Sequence, residues 1–350
     1  MFSKFVLGSL AMQASLASPL SRPLTCAPVS GNKTIDAFQL YPENADFDTR
    51  RCVLYSSVLY NATAVAWDPY RKEVLHTFEA PGLSGDSLLH ASGVRVDPLD
   101  RLSVIIDAGV SFDTSGQNVE GGNFLTKFDL RDNSFLWKAN LTDVTGGVYS
   151  GFQDSECDEA GNTFVLGTYP SSLIKVSADG ESAIPWYLVE PANHTIHGFS
   201  GIARKDDFLV VGDNTDGQLY RFDIRASKGT PIHVPISKGK SSKTERIGEN
   251  LDGILLPQLY AGTVLLASDN TNGTVILRSS NGKWDSAENL GTISNPFLSQ
   301  GGYTVASVQI ADSIYSVTEF FGDAIDGAPG NRTAFPLRDI TKEIEVILKA

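Results

Sequence analysis

From about residue 39 to the end, the chain is built of short apolar runs broken by clusters of Gly, Asn, Asp and Ser. The clearest example is His197–Asp223. Ser200 and Gly201 open a short apolar run, and Lys205, Asp206 and Asp207 form a charged turn. Phe208–Val211 is near-continuously apolar, and an acidic Gly/Asn/Asp turn leads to the alternating run Gln218–Phe222. Strand-length runs of this kind, separated by turn residues, predict an antiparallel meander.

The same paragraph recurs. Its opening residues are Glu43-Asn44, Ser92-Gly93, Gln153-Asp154, Ser200-Gly201, Asp252-Gly253 and Tyr303-Thr304. They return roughly every fifty residues, near the ~40–50 of a four-stranded propeller blade. Each opener leads into two further apolar runs, for example Leu102–Asp107 then Phe124–Leu130, and Ile314–Phe320 then Phe335–Ile340. Six such units predict an all-β, six-bladed β-propeller of four-stranded antiparallel blades over residues 39–350. A large β-sandwich is the rival, but a sandwich does not require a repeat.

The repeat also predicts where a site lies. In a propeller the first strand of each blade lines the channel, and the second-to-third-strand loops open on the same face as the loops entering it. The openers place Glu43, Asn44, Gln153, Asp154, Asp252 and Tyr303 at that mouth. The loops add Asp107, Tyr169, Asp213, Asp269, Asn270 and Glu319. Two of these loops are long, Asp107–Asn123 and Phe320–Asn331, and long loops in compact domains are often binding loops.

Composition sets the compartment. Lys4, the apolar run Phe5–Leu16 and the small residues Ser15 and Ala17 predict a secretory signal peptide over residues 1–17, followed by an arm over 18–38. No later run reaches transmembrane length, so no stable membrane insertion is expected. Six N-x-S/T acceptors, Asn32, Asn61, Asn140, Asn193, Asn272 and Asn331, suit a glycosylated surface in the secretory pathway. Cys26 and Cys52 are a candidate disulfide tying the arm to the first blade, which leaves Cys157, whose acidic neighbours disfavour an activated thiolate. A net charge of −13 argues against nucleic acid as a partner. The basic stretch Lys238–Arg246 reads as a solvated loop.

Familiar chemistries are absent. There is no G-x-S-x-G elbow, no G-x-G-x-x-G, and no H-E-x-x-H around His194 and His197. Glu43, Asn44, Asp154, Asp213, Asp252 and Asp269 are hard oxygen donors that suit Ca²⁺, though Asp and Asn also favour turns for local reasons. The expectation is no metal and no cofactor. The polar group is Asp154, Asp252, Tyr303 and Glu319, with Gln153, His197, Glu43, Asp107 and Asp213 beside it. Phe152, Phe199 and Phe320 are expected as apolar walls. Such a mixture suits an apolar, oxygenated small molecule.

The runs YPENADFD (41–48), CVLYSSVLYNATAVAWDP (52–69), GFQDSECDEAGNTFV (151–165), SGIA (200–203) and SVTEFFGDAIDGAPGNRTAFPLRDI (316–340) resemble landmarks of a family of secreted fungal propellers. That family includes the Malassezia cell-wall allergen propeller, the product of the fourteenth trichothecene-cluster gene and the hetero-Diels–Alderases of tropolonic sesquiterpene clusters. The resemblance implies a cofactor-free cyclase joining a tropolone-derived o-quinone methide to a humulene-type sesquiterpene. Two alternatives stay open: a non-catalytic cell-surface binder of lipids or small molecules, and a Ca²⁺-dependent lactonase-type hydrolase.

Overall fold

The computed structural model describes residues 26–238, 246–325 and 328–349. The proposed signal peptide and most of the basic stretch 238–246 lie outside these residues. Six antiparallel sheets form the blades of a propeller. Their innermost strands are Ala45–Asp48, Leu89–Val96, Ser150–Cys157, Phe199–Lys205, Leu251–Leu255 and Tyr303–Ile310. Blade 5 carries a fifth strand, Ile236–Lys238, parallel to Ala287–Ser294.

The ring closes differently from the sequence expectation. Lys33–Asp36, assigned to an arm outside the propeller, is the outermost strand of blade 6, antiparallel to Ala334–Asp339. Blade 6 therefore takes three strands from the end of the chain and one from its beginning. Cys26, just upstream, is disulfide-bonded to Cys52 in blade 1, with Cα atoms 5.5 Å apart. The bond crosses the seam where the first and last blades meet. The helix Thr341–Lys349 packs Ile344 against Val264, Leu266 and Ile314 over blades 5 and 6.

The repeat landmarks have a structural meaning. In blades 2 to 6 the pairing of first and second strands shifts register at Ala91/Val94, Phe152/Asp154, Phe199/Ile202, Leu251/Ile254 and Thr304/Ala306. The openers Ser92-Gly93, Gln153, Ser200-Gly201 and Asp252-Gly253 fall in these β-bulges, which re-aim side chains. Blade 1 has no shift there. Ser57 Oγ instead accepts hydrogen bonds from the Glu43 and Asn44 amides, at 3.2 and 3.0 Å.

Glycine is required at the bulges because neighbouring inner strands touch through backbone. A Cβ on Gly201 would lie 2.5 Å from Asp252 O and from Ile254 N, and one on Gly93 would lie 2.8 Å from Gln153 O. Gly201→Ala is therefore expected to cost about 3 kcal/mol, the scale of overpacking that only a backbone shift relieves. Gly212→Ala, whose new methyl meets the Ser200 hydroxyl at 3.2 Å, should cost less than half as much. Urea midpoints at unchanged m-value measure both. Equal costs would mean that the blade contact is not rigid.

Candidate functional site

Side chains on a propeller blade point at the faces of neighbouring blades, so the axis receives mainly strand edges and what the bulges turn inward. Two cavities open along it. One, of about 430 Å³, lies at the mouth where Arg95 sits 3.5 Å from Asp46 and 3.4 Å from Glu156. Its opposite charges are largely matched. The other, of about 360 Å³, is at the mouth predicted from the repeat. Among the described residues Glu43, Asp113 and Asp252 line it and no Lys or Arg does.

Bulge and loop residues build this pot together. Glu43, Gln153, His197 and Asp252 reach it as the sequence predicts. Asn270 Nδ2 donates to Asp252 Oδ2 at 2.6 Å, and Gln153 Nε2 donates to Ser200 O at 2.6 Å, so both are fixed. The Glu43 side chain is buried yet takes part in no hydrogen bond or ion pair among the described residues. Burial, then the charges of Asp252, Asp154, Asp107 and Glu319, hold its carboxyl well above the usual range. Burial likewise pushes Asp252 up to about 7, against the Asn270 hydrogen bond. His90 and His197 are pushed down by burial, which favours neutral imidazoles.

The walls come from loops. The turn Leu59–Asn61 supplies Tyr60, which meets His90 edge to face at 5.3 Å. The long loop after Asp107 forms the short helix Val110–Asp113, bringing Phe112 and Asp113. Phe112 meets Tyr169 edge to face at 5.7 Å, and Tyr169 stacks on His197 at 5.3 Å. Phe321 closes the rim, leaning on Tyr303 at 5.6 Å.

A second, larger chamber of about 940 Å³ adjoins the pot and shares Tyr60, His90 and Asp113 with it. Leu83, Leu88, Leu89, Val110, Phe124 and Pro329 give this groove a mostly apolar lining. Both volumes fall within the ~300–1,000 Å³ typical of small-molecule sites.

Several expected site residues lie elsewhere. Phe152, Phe199 and Phe320 are core, not walls, because strand alternation turns them into the layers between blades. The Arg332 guanidinium covers the Phe320 ring at 3.5 Å. Asp213 is a half-buried turn cap whose Oδ1 accepts from the Thr215 amide at 2.8 Å. Asp154 lies behind the pot as a tie between blades. Its Oδ1 accepts from Asn44 Nδ2 at 3.3 Å and its Oδ2 from the Ile202 amide at 3.2 Å, while burial raises it to about 7. Asp107 accepts from Ser92 Oγ at 2.9 Å, and burial pushes it up to about 8. Glu319 is fully buried with neither carboxyl oxygen hydrogen-bonded among the described residues, and burial carries it well above its usual range.

The oxygen set considered for Ca²⁺ does not converge. Asp269 is drawn into its own turn by Thr271 and Asn272, and Asp213 by Thr215. Among the described residues no three His, Cys, Asp or Glu side chains are placed to hold a metal ion. Cys157 is buried beside the Thr163 hydroxyl at 3.5 Å, away from the pot. Of the six glycosylation acceptors, Asn32, Asn61, Asn193, Asn272 and Asn331 are exposed. Asn140 is half-buried, capping Leu141–Thr145 through Oδ1 while its Nδ2 donates to Asp143.

Phe112 and Asp113 lie in the long loop Asp107–Asn123 that the sequence marks as a binding loop, whereas Tyr60 and His90 escape the sequence reading although a signal exists for both. Tyr60 occupies in blade 1 the loop position that was read in the other blades. His90 lies two residues before the bulge at Ser92 on the same inner strand.

These buried carboxyls make stability depend on pH. Asp107 titrates near 8 when folded and near ~3.9 when unfolded, so the folded state holds the extra proton between those values. Its stabilising effect is full below the unfolded value and is lost as pH rises through that window, by about 1.4 kcal/mol per pH unit. Asp107→Asn should flatten the fall in stability between pH 5 and 7.5, read from urea midpoints. An unchanged slope would refute this assignment.

The chain is 34% identical over 341 residues to trichothecene biosynthesis protein 14 of Trichoderma arundinaceum, covering 92% of each chain. It is also 34% identical over 341 residues to core trichothecene cluster protein 14 of Fusarium sporotrichioides, covering 92% of this chain and 88% of that one. The crystal structure of the major Malassezia sympodialis allergen Mala s 1 superposes with a TM-score of 0.74 at 22% identity, covering 89% of this chain and 96% of the allergen. The sequence model of the Mal s 1 allergenic protein-like family matches residues 25–288. With the six-bladed fold and relatives of this similarity, the chain belongs to that Mal s 1-like propeller family.

Proposed function

We propose that this protein is a cofactor-free cyclase of fungal secondary metabolism, a hetero-Diels–Alderase joining a tropolone-derived o-quinone methide to a humulene-type sesquiterpene. Its similarity to two trichothecene-cluster proteins supports the secondary-metabolism link. The observation that carries the reaction class is the pair of adjoining chambers, a carboxyl-floored pot and an apolar groove, sharing Tyr60, His90 and Asp113. An oxygenated ring suits the first, and a hydrocarbon suits the second.

The chemistry needs little dedicated machinery. Glu43, held protonated by burial and neighbouring charge, gives its proton to the carbinol oxygen of a hydroxymethyl-tropolone. The carbon–oxygen bond breaks, and water leaves with the bonding pair. Asp252, near 7, takes the ring hydroxyl proton, leaving a neutral quinone methide. The alkene in the groove then adds across the heterodiene with no further proton transfer. Holding the partners in a near-attack geometry and excluding water from the intermediate supply the rest. Asp154, Asp107 and Glu319 act from behind through the field they set at Glu43. Tyr303 supports the Phe321 wall.

A second reading, a non-catalytic binder of lipids or other apolar small molecules, is favoured by the apolar groove alone. The disulfide, together with the N-terminal apolar segment and the glycosylation acceptors, supports residence in the secretory pathway.

The test is incubation of the purified protein with a hydroxymethyl-tropolone precursor and humulene, with and without EDTA, followed by chiral chromatography. One enantiomer in both arms is expected. Turnover should rise through pH ~7 as Asp252 ionises, and Asp252→Asn should lower it at least about 100-fold and remove that limb. A product mixture matching the protein-free control, with humulene still bound, would establish the binder instead.

A further inference from the structure

The pot has an electrostatic character that neutral substrates alone do not explain. Glu43 and Asp252 face it from the floor and Asp113 from the rim, with no Lys or Arg among its described lining residues. Behind them stand Asp154, Asp107 and Glu319, and among the described residues Asp107 Oδ2 and both Glu319 oxygens have no hydrogen-bond partner. The nearby guanidiniums are committed elsewhere: Arg95 to Asp46 and Glu156, and Arg332 to Asp323. Uncompensated buried carboxyls are costly to keep, and an apolar residue of similar size would pack there at less expense. Glu43 is the decisive case. It is only 8% exposed, lines the cavity, and its carboxyl takes part in no hydrogen bond or ion pair among the described residues.

The walls have the complementary property. Tyr60, Phe112, Tyr169 and Phe321 present ring surface around a space of about 360 Å³. Aromatic faces attract cations and offer nothing comparable to anions. The two imidazoles in the lining, His90 and His197, sit in T-shaped or stacked contact with Tyr60 and Tyr169.

We infer that the pot recognises positive charge: a small organic cation of alkylammonium size, walled by Tyr60, Phe112, Tyr169 and Phe321, with Asp252 as its counter-charge, joined by Glu43 as the entering cation drives the Glu43 proton to solvent. A metal ion fits less well, since no three ligating side chains converge there among the described residues and the walls bring rings rather than oxygens. Where the cyclase reading holds, on which only this consequence rests, the cation stands for the substrate after protonation of its carbinol oxygen. The site then stabilises the charge that develops as water departs.

The experiment is titration calorimetry with the full-length protein at pH 8, comparing choline with its neutral isostere 3,3-dimethylbutan-1-ol. Choline should bind about tenfold more tightly or better, as a desolvated cation–π site predicts. Glu43→Gln should remove at least about fivefold of choline affinity while leaving the alcohol unchanged. Phe321→Leu, at the half-exposed rim where folding is not at stake, should weaken choline selectively in the same way. Equal affinity for the two probes, or binding of neither, overturns the inference. The result separates from the cyclase assay: choline selectivity without product leaves cation recognition standing and removes the cyclase. Stereocontrolled product without choline selectivity does the reverse.

Discussion

Everything in this molecule follows from how closely six inner strands approach one another around the axis. At 2.5 Å from neighbouring backbone there is no room for a Cβ on Gly201, and Gly93 and Gly253 are nearly as confined. Strands that close cannot continue in regular register, and five of the six first-to-second-strand ladders break at this level. The break turns polar side chains toward the channel that regular alternation would have pressed against a neighbouring blade. Packing at the axis thus decides which side chains the site receives. It also decides how little water reaches them, and so why Asp107, Asp154 and Asp252 titrate near or above 7.

That constraint explains what the sequence makes legible. The openers of blades 2, 4 and 5 stand out because a bulge at a crowded axis requires glycine, and Gly93, Gly201 and Gly253 punctuate the apolar runs there. Glu43, Gln153 and Asp252 follow directly from the recurring openers. The closing strand Lys33–Asp36 is illegible for the opposite reason: its partner, Ala334–Asp339, lies at the far end of the chain, and four residues show no period of their own. Phe152 and Phe199 mislead because proximity to an opener was read as proximity to the channel. One residue along a strand reverses the side chain's direction, and these two fall on the blade-facing side. Asp213 misleads because an aspartate that caps a turn and one that faces a ligand look alike in sequence.

The two mouths of the channel show that crowding carboxyls at the axis is not itself a defect of the architecture. At one mouth Arg95 pairs with Asp46 and Glu156, while at the other Glu43 and Asp252 line the cavity with no Lys or Arg among its described lining residues. Since the backbone geometry is shared, the fold does not impose the imbalance. It resides in side-chain choice, which makes the unbalanced mouth the candidate site and sets it apart from the ion-paired mouth.

Floor and walls of the pot answer to different forces. The floor is set by the bulge that carries Asp252 and by the hydrogen bond from the Glu43 amide to Ser57 Oγ, both tied to the blades, so its carboxyls are held with the ring. Apart from Tyr169, which ends the blade strand Thr163–Tyr169, the walls come from Leu59–Asn61, Val110–Asp113 and Phe321, which are short turns or insertions outside the blade ladders. Such segments tolerate exchange at little cost to the fold. Chemistry and substrate choice are therefore separable in this scaffold. Under the proposed function, a change at Glu43 or Asp252 alters what the site does to a ligand, whereas a change at Tyr60, Phe112 or Phe321 alters which ligand is held. Relatives sharing about a third of their residues can thus keep one ring of blades while directing it at different molecules, and the 0.74 TM-score to the allergen speaks to the ring alone.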